Sequence, residues 1–232
     1  MADAPIHLAG EPPVTVAVRR AARARRMSLR VSRLDGRITL TLPTWAPRRE
    51  AEAFVQEKAG WLRARLSEQT DKVQITWGAE VPVEGVLMKV VAGRRTRLVP
   101  DEAMIAIASG TRSVPAAVAG VLKSHARDRL TTSSDRYSAA LGRPYARITL
   151  RDTRSRWGSC SSRGALMYSW RLILAPPDVL DYVAAHEVAH LAQMNHSPAF
   201  WAEVAALCPN YAAPRAWLRR HGEDLHRYRF SG

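Results

Sequence analysis

The chain has 232 residues, 47% of them hydrophobic, which is enough for one large domain or two small ones with ample core. No apolar run approaches the roughly 18 residues of a membrane span, so we expect no membrane-spanning helix. A formal net charge of +14 excludes an acidic protein. Such a surface would attract polyanions, namely nucleic acid, nucleotides or acidic membrane, although a solvated basic surface without such a partner also accounts for it.

The cysteine content and the first residues favour a cytoplasmic location. The two cysteines, Cys160 and Cys208, do not imply a disulfide framework and fit a reducing compartment. The first residues lack the basic region followed by an apolar stretch that is typical of a secretory signal. We therefore expect a cytoplasmic protein, and the sequence gives no indication of its oligomeric state.

The start of the chain is predicted to be basic and rich in strands. Residues 1–12 look like a loose tail, and the alternation that follows predicts a strand over 14–19. Two further strands, around 29–31 and 38–42, flank Asp35-Gly36, which is a strong hairpin turn signal.

One helix is predicted in this part of the chain. Apolar residues recur at helical spacing over 47–68, and turn residues then divide 73–108 into short strands. Ser109-Gly110 is the expected boundary between two domains. We therefore predict a basic, β-rich N-terminal region with one helix over 1–110, and a second domain over 111–232.

The second domain is predicted to combine helices with a small sheet. A helix runs from Pro115 to about Leu141, where Gly142 ends it. Strands are expected over 148–151 and 167–174. Further helices are expected from 178 onward, over 200–207 and over 214–220.

The most specific stretch of the chain is the H-E-x-x-H motif of His186, Glu187 and His190. We expect it on a helix with Asp178 as N-cap and Asp181 in the capping-box position. Positions i and i+4 of a helix differ by only about 40° and roughly 6 Å, so both imidazoles point the same way and are able to share a metal ion. Glu187 would lie beside them as a base on a zinc-bound water.

A catalytic zinc ion takes three protein ligands, and His196 is the best third candidate. On a straight helix, His196 would lie about 15 Å along the axis from His186, too far to share the metal. The hypothesis therefore requires a sharp turn between Leu191 and Asn195, a residue that tolerates the left-handed conformation. Ser197-Pro198 is then expected to cap and begin a new helix.

Further motifs surround the metal motif. They are Arg156-Trp157-Gly158-Ser159-Cys160, Trp170-Arg171-Leu172 with Pro176, Tyr182-Val183, Asn195-His196-Ser197 and Phe200-Trp201. Together they resemble the YgjP-like metallopeptidase-domain family, and the metal core is similar to that of SprT- and Wss1-type proteases. The resemblance implies an α+β chain ending in a zincin-like core, with the motif helix and a small sheet. It also implies zinc on the three histidines, Glu187 as base, and a protein or peptide substrate.

Three arginines are candidates for substrate binding: Arg154, Arg156 and Arg171. They would stabilise an oxyanion or bind a phosphate, or else form structural ion pairs with Asp152, Asp178 or Asp181, and the sequence does not decide between these roles. The strand expected over 167–174 is a candidate edge for backbone pairing with an extended peptide.

Three functions are compatible with the sequence. The first is a zinc-dependent peptidase, and the second is a metal-dependent phosphohydrolase acting on nucleotides, which the arginines and the basic surface favour. The third is a nucleic-acid-binding module whose zinc is structural, with Cys160 or Cys208 as a fourth ligand. Glu187 counts against the third, because a structural site needs no base beside its ligands. We therefore predict a zinc metallopeptidase.

Overall fold

The computed structural model of the chain describes residues 3–32, 36–67 and 71–230. The chain forms two compact units, Met1–Asp71 and Lys72–Gly232, here called the N-terminal and the C-terminal unit. The boundary expected between residues 110 and 111 lies inside the C-terminal unit. Ser109 and Gly110 form a turn between a strand and a helix whose side chains, Ile107 and Val118 among them, share one hydrophobic core.

A four-stranded sheet forms the N-terminal unit together with two helices. Its strands are β1 (Asp3–Leu8), β2 (Val14–Arg20), β3 (Ser28–Val31) and β4 (Ile38–Leu42). They lie in the order β1-β2-β4-β3, with β2 and β4 parallel and the other neighbours antiparallel. The hairpin partners β3 and β4 confirm the prediction, whereas its turn residue Asp35 lies outside the described residues.

The expectation of a loose tail over 1–12 is wrong for Asp3–Leu8, which forms β1. Ile6 and Leu8 point to one side of this strand and are buried in the core, which stabilises it against β2. Ala4 is small and exposed, so only Ile6 and Leu8 indicate the alternation, and this short pattern is too weak to predict a strand.

The single helix predicted over 47–68 is corrected to two, α1 (Arg48–Glu57) and α2 (Ala59–Ser67). Lys58 separates them with φ −89° and ψ 6°, and Gly60, a residue of low helix propensity, follows closely. Val55 and Leu62 are fully buried in the core of this unit, so both helices use the apolar face that the sequence predicts.

The C-terminal unit begins with a second four-stranded sheet. Its strands are β6 (Glu80–Val83), β7 (Val86–Gly93), β8 (Arg97–Val99) and β9 (Met104–Ala108), in the order β6-β7-β9-β8. The short strand β5 (Val73–Gln74) pairs in parallel with β13 (Tyr228–Arg229), which ties the beginning of the unit to its end. The predicted short strands are confirmed.

Helix α3 (Val114–Leu141) carries much of the core of the C-terminal unit. Ser113 caps it by accepting a hydrogen bond from the backbone N–H of Ala116, and Gly142 ends it in the left-handed region with φ 68°. Leu122 and Leu130 on its inner face are fully buried. The predicted start and end of this helix are confirmed.

A three-stranded sheet lies next to the metal motif in the fold. It consists of β10 (Arg147–Arg151), β11 (Gly158–Cys160) and β12 (Ala165–Ser169), in the order β10-β12-β11. The strand predicted over 167–174 is wrong beyond Ser169, because Trp170–Leu174 form a buried 3-10 helix. A continuous apolar run does not distinguish a buried strand from a buried helical turn. Strand β12 is the central strand, and β10 and β11 are the two edges.

Three helices complete the unit: α4 (Pro177–Ala189), α5 (Pro198–Leu207) and α6 (Ala212–His221). Pro176 rather than Asp178 is the N-cap of α4, and no side chain caps it. Asp181 instead accepts hydrogen bonds from Ser133 (2.5 Å) and Arg136 (3.1 Å). The α+β fold is as predicted, and none of the helices described is long and apolar enough to cross a membrane.

Candidate metal centre

The H-E-x-x-H motif occupies the last turn of α4, and the chain turns sharply after it. His190 is the C-cap of the helix. The backbone N–H groups of Ala192 and Gln193 both donate hydrogen bonds to the carbonyl of Ala189, at 3.0 and 3.1 Å. These bonds form a tight turn directly after the helix. The required turn is present, and it forms without a left-handed conformation at Asn195, which is not among the residues with positive φ.

The turn brings His196 to the two histidines of α4. Ligand nitrogens of His186, His190 and His196 all lie within 4.8 Å of one another, and Nε2 of His186 is 3.1 Å from Nε2 of His196. Nitrogens about 2.1 Å from a tetrahedral ion are separated by about 3.4 Å, so this spacing fits a shared metal. Among the residues described, no cysteine or carboxylate joins this cluster as a fourth ligand.

The imidazoles are held by one hydrogen bond and by aromatic packing. Nδ1 of His190 donates to the carbonyl of Gln193 at 3.0 Å, which directs Nε2 to the cluster, an arrangement common around metal-bound histidines. Nδ1 of His186 is buried with no hydrogen-bond partner in the described part of the chain. Its ring packs edge-on against Phe200, with centroids 4.9 Å apart, so packing fixes its orientation.

An aromatic wall borders the cluster. Phe200 stacks on His190 with centroids 4.4 Å apart, and Trp201 stacks near His196 at 6.0 Å. Tyr211 continues the stack from Trp201 at 5.6 Å. Both aromatic residues of α5 are placed by the Ser197 cap, which accepts a hydrogen bond from the N–H of Phe200 at 3.4 Å. The wall excludes water from one side, while His196 stays exposed on the other.

The surroundings keep two of the imidazoles neutral. Burial, together with the neighbouring His190, His196 and Arg215, lowers the pKa of His186 to about 3. Burial also lowers the pKa of His190, and the charge of His196 acts in the same direction. Neutral imidazoles are the form that binds a metal, so the pocket favours the ligand state at neutral pH.

Glu187 lies on the same turn of α4 and is almost completely buried, with 5% of its surface exposed. Burial raises the pKa of its carboxyl to about 8, and the charge of Arg156 opposes that shift. The carboxylate rests against Gly158 of β11, where an added Cβ would lie 2.5 Å from Oε1. Only a glycine at this position leaves room for the side chain.

Strand β11 was not predicted from the sequence, although it lies directly beside the motif. It is one of the two edge strands of its sheet and pairs with β12 through Gly158–Tyr168, Ser159–Met167 and Cys160–Leu166. The candidate peptide-binding edge is therefore β11 and not the strand expected over 167–174. Three residues are too few for a period-two pattern, so this strand cannot be predicted from the sequence.

The three candidate arginines have different environments in the structure. Arg171 is buried and donates to Asp152 from Nε (2.6 Å) and from its terminal nitrogen (3.1 Å). It also donates to the carbonyls of Leu225 and Tyr228, both at 3.0 Å, which makes it a structural residue. Arg154 and Arg156 are exposed, and Arg156 is the one whose charge acts on Glu187.

Arg215 on α6 is a candidate that the sequence did not reveal. Its guanidinium lies 4.2 Å from the centre of the Trp201 ring, and its charge lowers the pKa of His186. The chain separation of Arg215 from the motif hides this proximity, since only the packing of α6 against α4 brings it near.

The two cysteines are free. Cys160 lies on β11, where burial raises the pKa of its thiol to about 11 and the charge of Glu187 acts in the same direction. Such a thiol stays protonated at neutral pH and is a poor metal ligand.

A known protein family and a solved structure are similar to this chain. The family model of the YgjP-like metallopeptidase domain matches residues 25–221. Among curated proteins, no match is significant. Among solved structures, the crystal structure of the metallopeptidase zymogen of Pyrococcus abyssi abylysin is similar at 22% identity, with a TM-score of 0.34 over 42% of this chain and 93% of that chain. Because the family match covers most of the chain, the chain belongs to the YgjP-like metallopeptidase-domain family.

Proposed function

We propose that the protein is a zinc-dependent peptidase in which His186, His190 and His196 hold the metal and Glu187 is the general base. The observation that carries the proposal is the convergence of three ligand nitrogens within 4.8 Å, next to a buried carboxylate. Membership of a metallopeptidase family supports a hydrolase that uses a divalent metal and acts on protein or peptide.

The donor set suits zinc. Three imidazoles without a fourth protein ligand in the described chain match the composition of a catalytic site that keeps one position open. When bound, zinc would supply a Lewis acid that polarises a carbonyl and makes water more acidic. The hydrogen bond from His190 to the Gln193 carbonyl and the packing of His186 on Phe200 would hold the ligands in place.

Glu187 would move the proton. Its carboxylate accepts a proton from the attacking water and passes it to the amine that leaves when the peptide bond breaks. The carboxylate is buried beside the ligands, and Gly158 leaves the space that holds it. Arg156 and Arg215, whose charges act on Glu187 and His186, are suited to stabilise the negative charge that develops on the substrate carbonyl oxygen.

The edge of β11 would bind the substrate backbone. An extended peptide that adds to this edge forms main-chain hydrogen bonds and places its scissile bond beside Glu187, because Gly158 of β11 touches that side chain. Such pairing discriminates little between substrate side chains. The charge of Arg156 next to β11 would add a preference for acidic groups.

The alternatives from the sequence gain little support. A structural zinc site requires a fourth protein ligand, and the histidine cluster has none in the part of the chain described. Nucleotide hydrolysis and nucleic-acid binding rest on the basic surface, and the family match does not support them. Arg171 is moreover engaged with Asp152. The cytoplasmic location stays a prediction.

The test compares the wild-type protein with Glu187→Gln on unfolded protein, peptide libraries and nucleotides. We expect the variant to keep its metal and lose at least about a hundredfold in peptide turnover, the low end for a general base. Glu102→Gln, at an exposed turn, is the control and should behave as wild type. Wild-type turnover of a cleaved peptide by Glu187→Gln with metal bound would refute the mechanism, and Glu187-dependent turnover of nucleotides alone would refute the peptidase.

A further inference from the structure

A second concave surface lies in the N-terminal unit. It encloses about 500 Å³ between the start of β3 and the two helices. We call it the β3 groove, and its lining residues are Arg26, Met27, Ser28, Leu29, Phe54, Lys58 and Trp61. The proposed peptidase site uses none of these residues.

The floor of the groove is apolar and remains accessible. Met27, Leu29 and Phe54 are partly buried against the core of the unit, so they form a fixed surface. Trp61 leaves 43% of its surface exposed at the side of the groove. A large aromatic side chain with this exposure beside an apolar concavity is typical of a binding surface.

The rim of the groove is basic. Arg26 is exposed and has no acidic partner among the residues described, and Arg30 further along β3 is in the same situation. Lys58 contacts Glu57 at 2.7 Å and lies 5.9 Å from the centre of the Phe54 ring. The Lys58–Glu57 pair is exposed and therefore weak, which leaves the lysine able to turn to a ligand.

One wall of the groove is a sheet edge. Strand β3 is the last strand in the order β1-β2-β4-β3, so its outer side has no strand neighbour in the described sheet. Ser28 and Arg30 are exposed, while Leu29 and Val31 are partly buried. An edge of this kind offers backbone N–H and C=O groups to an incoming extended chain.

We propose that the β3 groove binds an extended segment of another protein that alternates acidic and apolar residues, by strand addition to β3. The apolar side chains fill the space beside Phe54 and Trp61, while the acidic ones lie on the opposite face of the added strand, beside the exposed Arg30 of β3. Arg26 and Lys58, which line the groove, add to the positive charge that attracts an acidic segment. A peptide fits better than nucleic acid because most of the lining is aliphatic and aromatic, and because a sheet edge pairs with a polypeptide backbone. The bound segment would belong to a substrate of the proposed peptidase, and this part of the inference rests on the proposed function.

The first test measures binding by fluorescence anisotropy. The probe is a labelled peptide of alternating glutamate and phenylalanine, added to full-length Glu187→Gln protein so that cleavage does not interfere. We expect Trp61→Ala to raise Kd at least about tenfold. Lys58→Glu should also weaken binding, while Trp45→Ala, a change of a 71% exposed tryptophan outside the groove, should leave Kd unchanged.

The second test examines charge and backbone pairing. A peptide with lysine in place of glutamate should bind at least about tenfold more weakly, because like charges meet at the rim. Two peptides carry N-methyl groups on alternate residues, one on each backbone edge, and only one of them should lose binding.

Equal binding of both methylated peptides, or equal binding of the acidic and basic peptides, would overturn strand addition by an acidic segment. Displacement of the acidic peptide by a single-stranded oligonucleotide at lower concentration than by unlabelled peptide would assign the groove to nucleic acid instead. These measurements need no turnover, so a failure here is distinguishable from a failure of the peptidase proposal.

Discussion

Gly158 and Glu187 share one small space at the metal site. A Cβ atom at position 158 would lie 2.5 Å from Oε1 and 2.6 Å from Cγ of the glutamate. A residue with a Cβ atom therefore fits at position 158 only if the carboxylate of Glu187 moves. Since Gly158 also lies on the edge strand β11, one residue sets the position of the proposed base and of the proposed substrate strand.

We predict that Gly158→Ala displaces the carboxylate without unfolding the protein. The glutamate side chain is flexible enough to move, so metal content and thermal stability should stay near wild type. Turnover of a peptide substrate should fall about a hundredfold, as for a misplaced general base. Steady-state kinetics with metal analysis of the same preparation measures both quantities.

Gly120→Ala is the matched control for this change. Gly120 lies on α3 with open space around its Cα, and alanine there should stabilise the helix by about 0.5–1 kcal/mol without changing turnover. Full activity in Gly158→Ala would contradict the placement of Glu187 as base.

The motif and its surroundings were predictable from the sequence to different degrees. The i, i+4 histidines and the Ser197 cap are local features that follow from spacing within about one helical turn. The turn between them follows only from the requirement that His196 reach the shared metal. Strand β11 was not predictable, because three residues carry no alternation and its position beside Glu187 arises from tertiary packing. The same applies to Arg215, which reaches the site only through the packing of α6.

The fold followed the same division. Helix α3 has a serine cap at one end and a left-handed glycine at the other, so its bounds were predictable. The 3-10 helix at Trp170–Leu174 was not, because all five of its residues are buried and an apolar run of that length fits either a strand or a helix. Asp181 pairs with Ser133 across the core instead of capping its own helix, and a tertiary contact of this kind has no local signal.

His196 is predicted to be the third metal ligand. Removing its imidazole in His196→Ala leaves two ligands, so zinc affinity should fall at least about a hundredfold. Competition with a chromophoric chelator at pH 7 measures the affinity directly. His7→Ala, which removes an exposed histidine of the N-terminal unit, should not change it. Wild-type zinc affinity in His196→Ala would remove this residue from the ligand set.

Arg171 is predicted to stabilise the fold and not to bind substrate. Arg171→Ala breaks the bond to Asp152 and leaves the carbonyls of Leu225 and Tyr228 without a donor, which should cost about 3 kcal/mol of unfolding free energy. Urea denaturation of the metal-free protein measures the change. KM of the molecules that remain folded should equal the wild-type value. A raised KM with unchanged stability in Arg171→Ala would instead support the substrate-binding role that the sequence suggests for Arg171.

His226 is predicted to make the protein less stable in mild acid. Burial and the nearby charge of Arg171 lower the pKa of His226 to about 4, against an ordinary value of 6.5. Above pH 6.5 the ring is neutral in both states and has no effect. As the pH falls from 6.5 toward 4, His226 takes up a proton in the unfolded chain but stays neutral in the folded chain. The free energy of unfolding therefore decreases.

His226→Gln removes this proton uptake and keeps a polar side chain next to Trp157. In the wild-type protein, the ring centroids of Trp157 and His226 are 5.1 Å apart. Urea denaturation of the metal-free proteins at pH 7 and pH 5 gives the comparison. Wild type should lose about 2 kcal/mol more than the variant between the two values. His186 and His190 also have lowered pKa values, but they are common to both proteins and cancel. Equal losses in the two proteins would mean that His226 protonates in the folded state as readily as in the unfolded one.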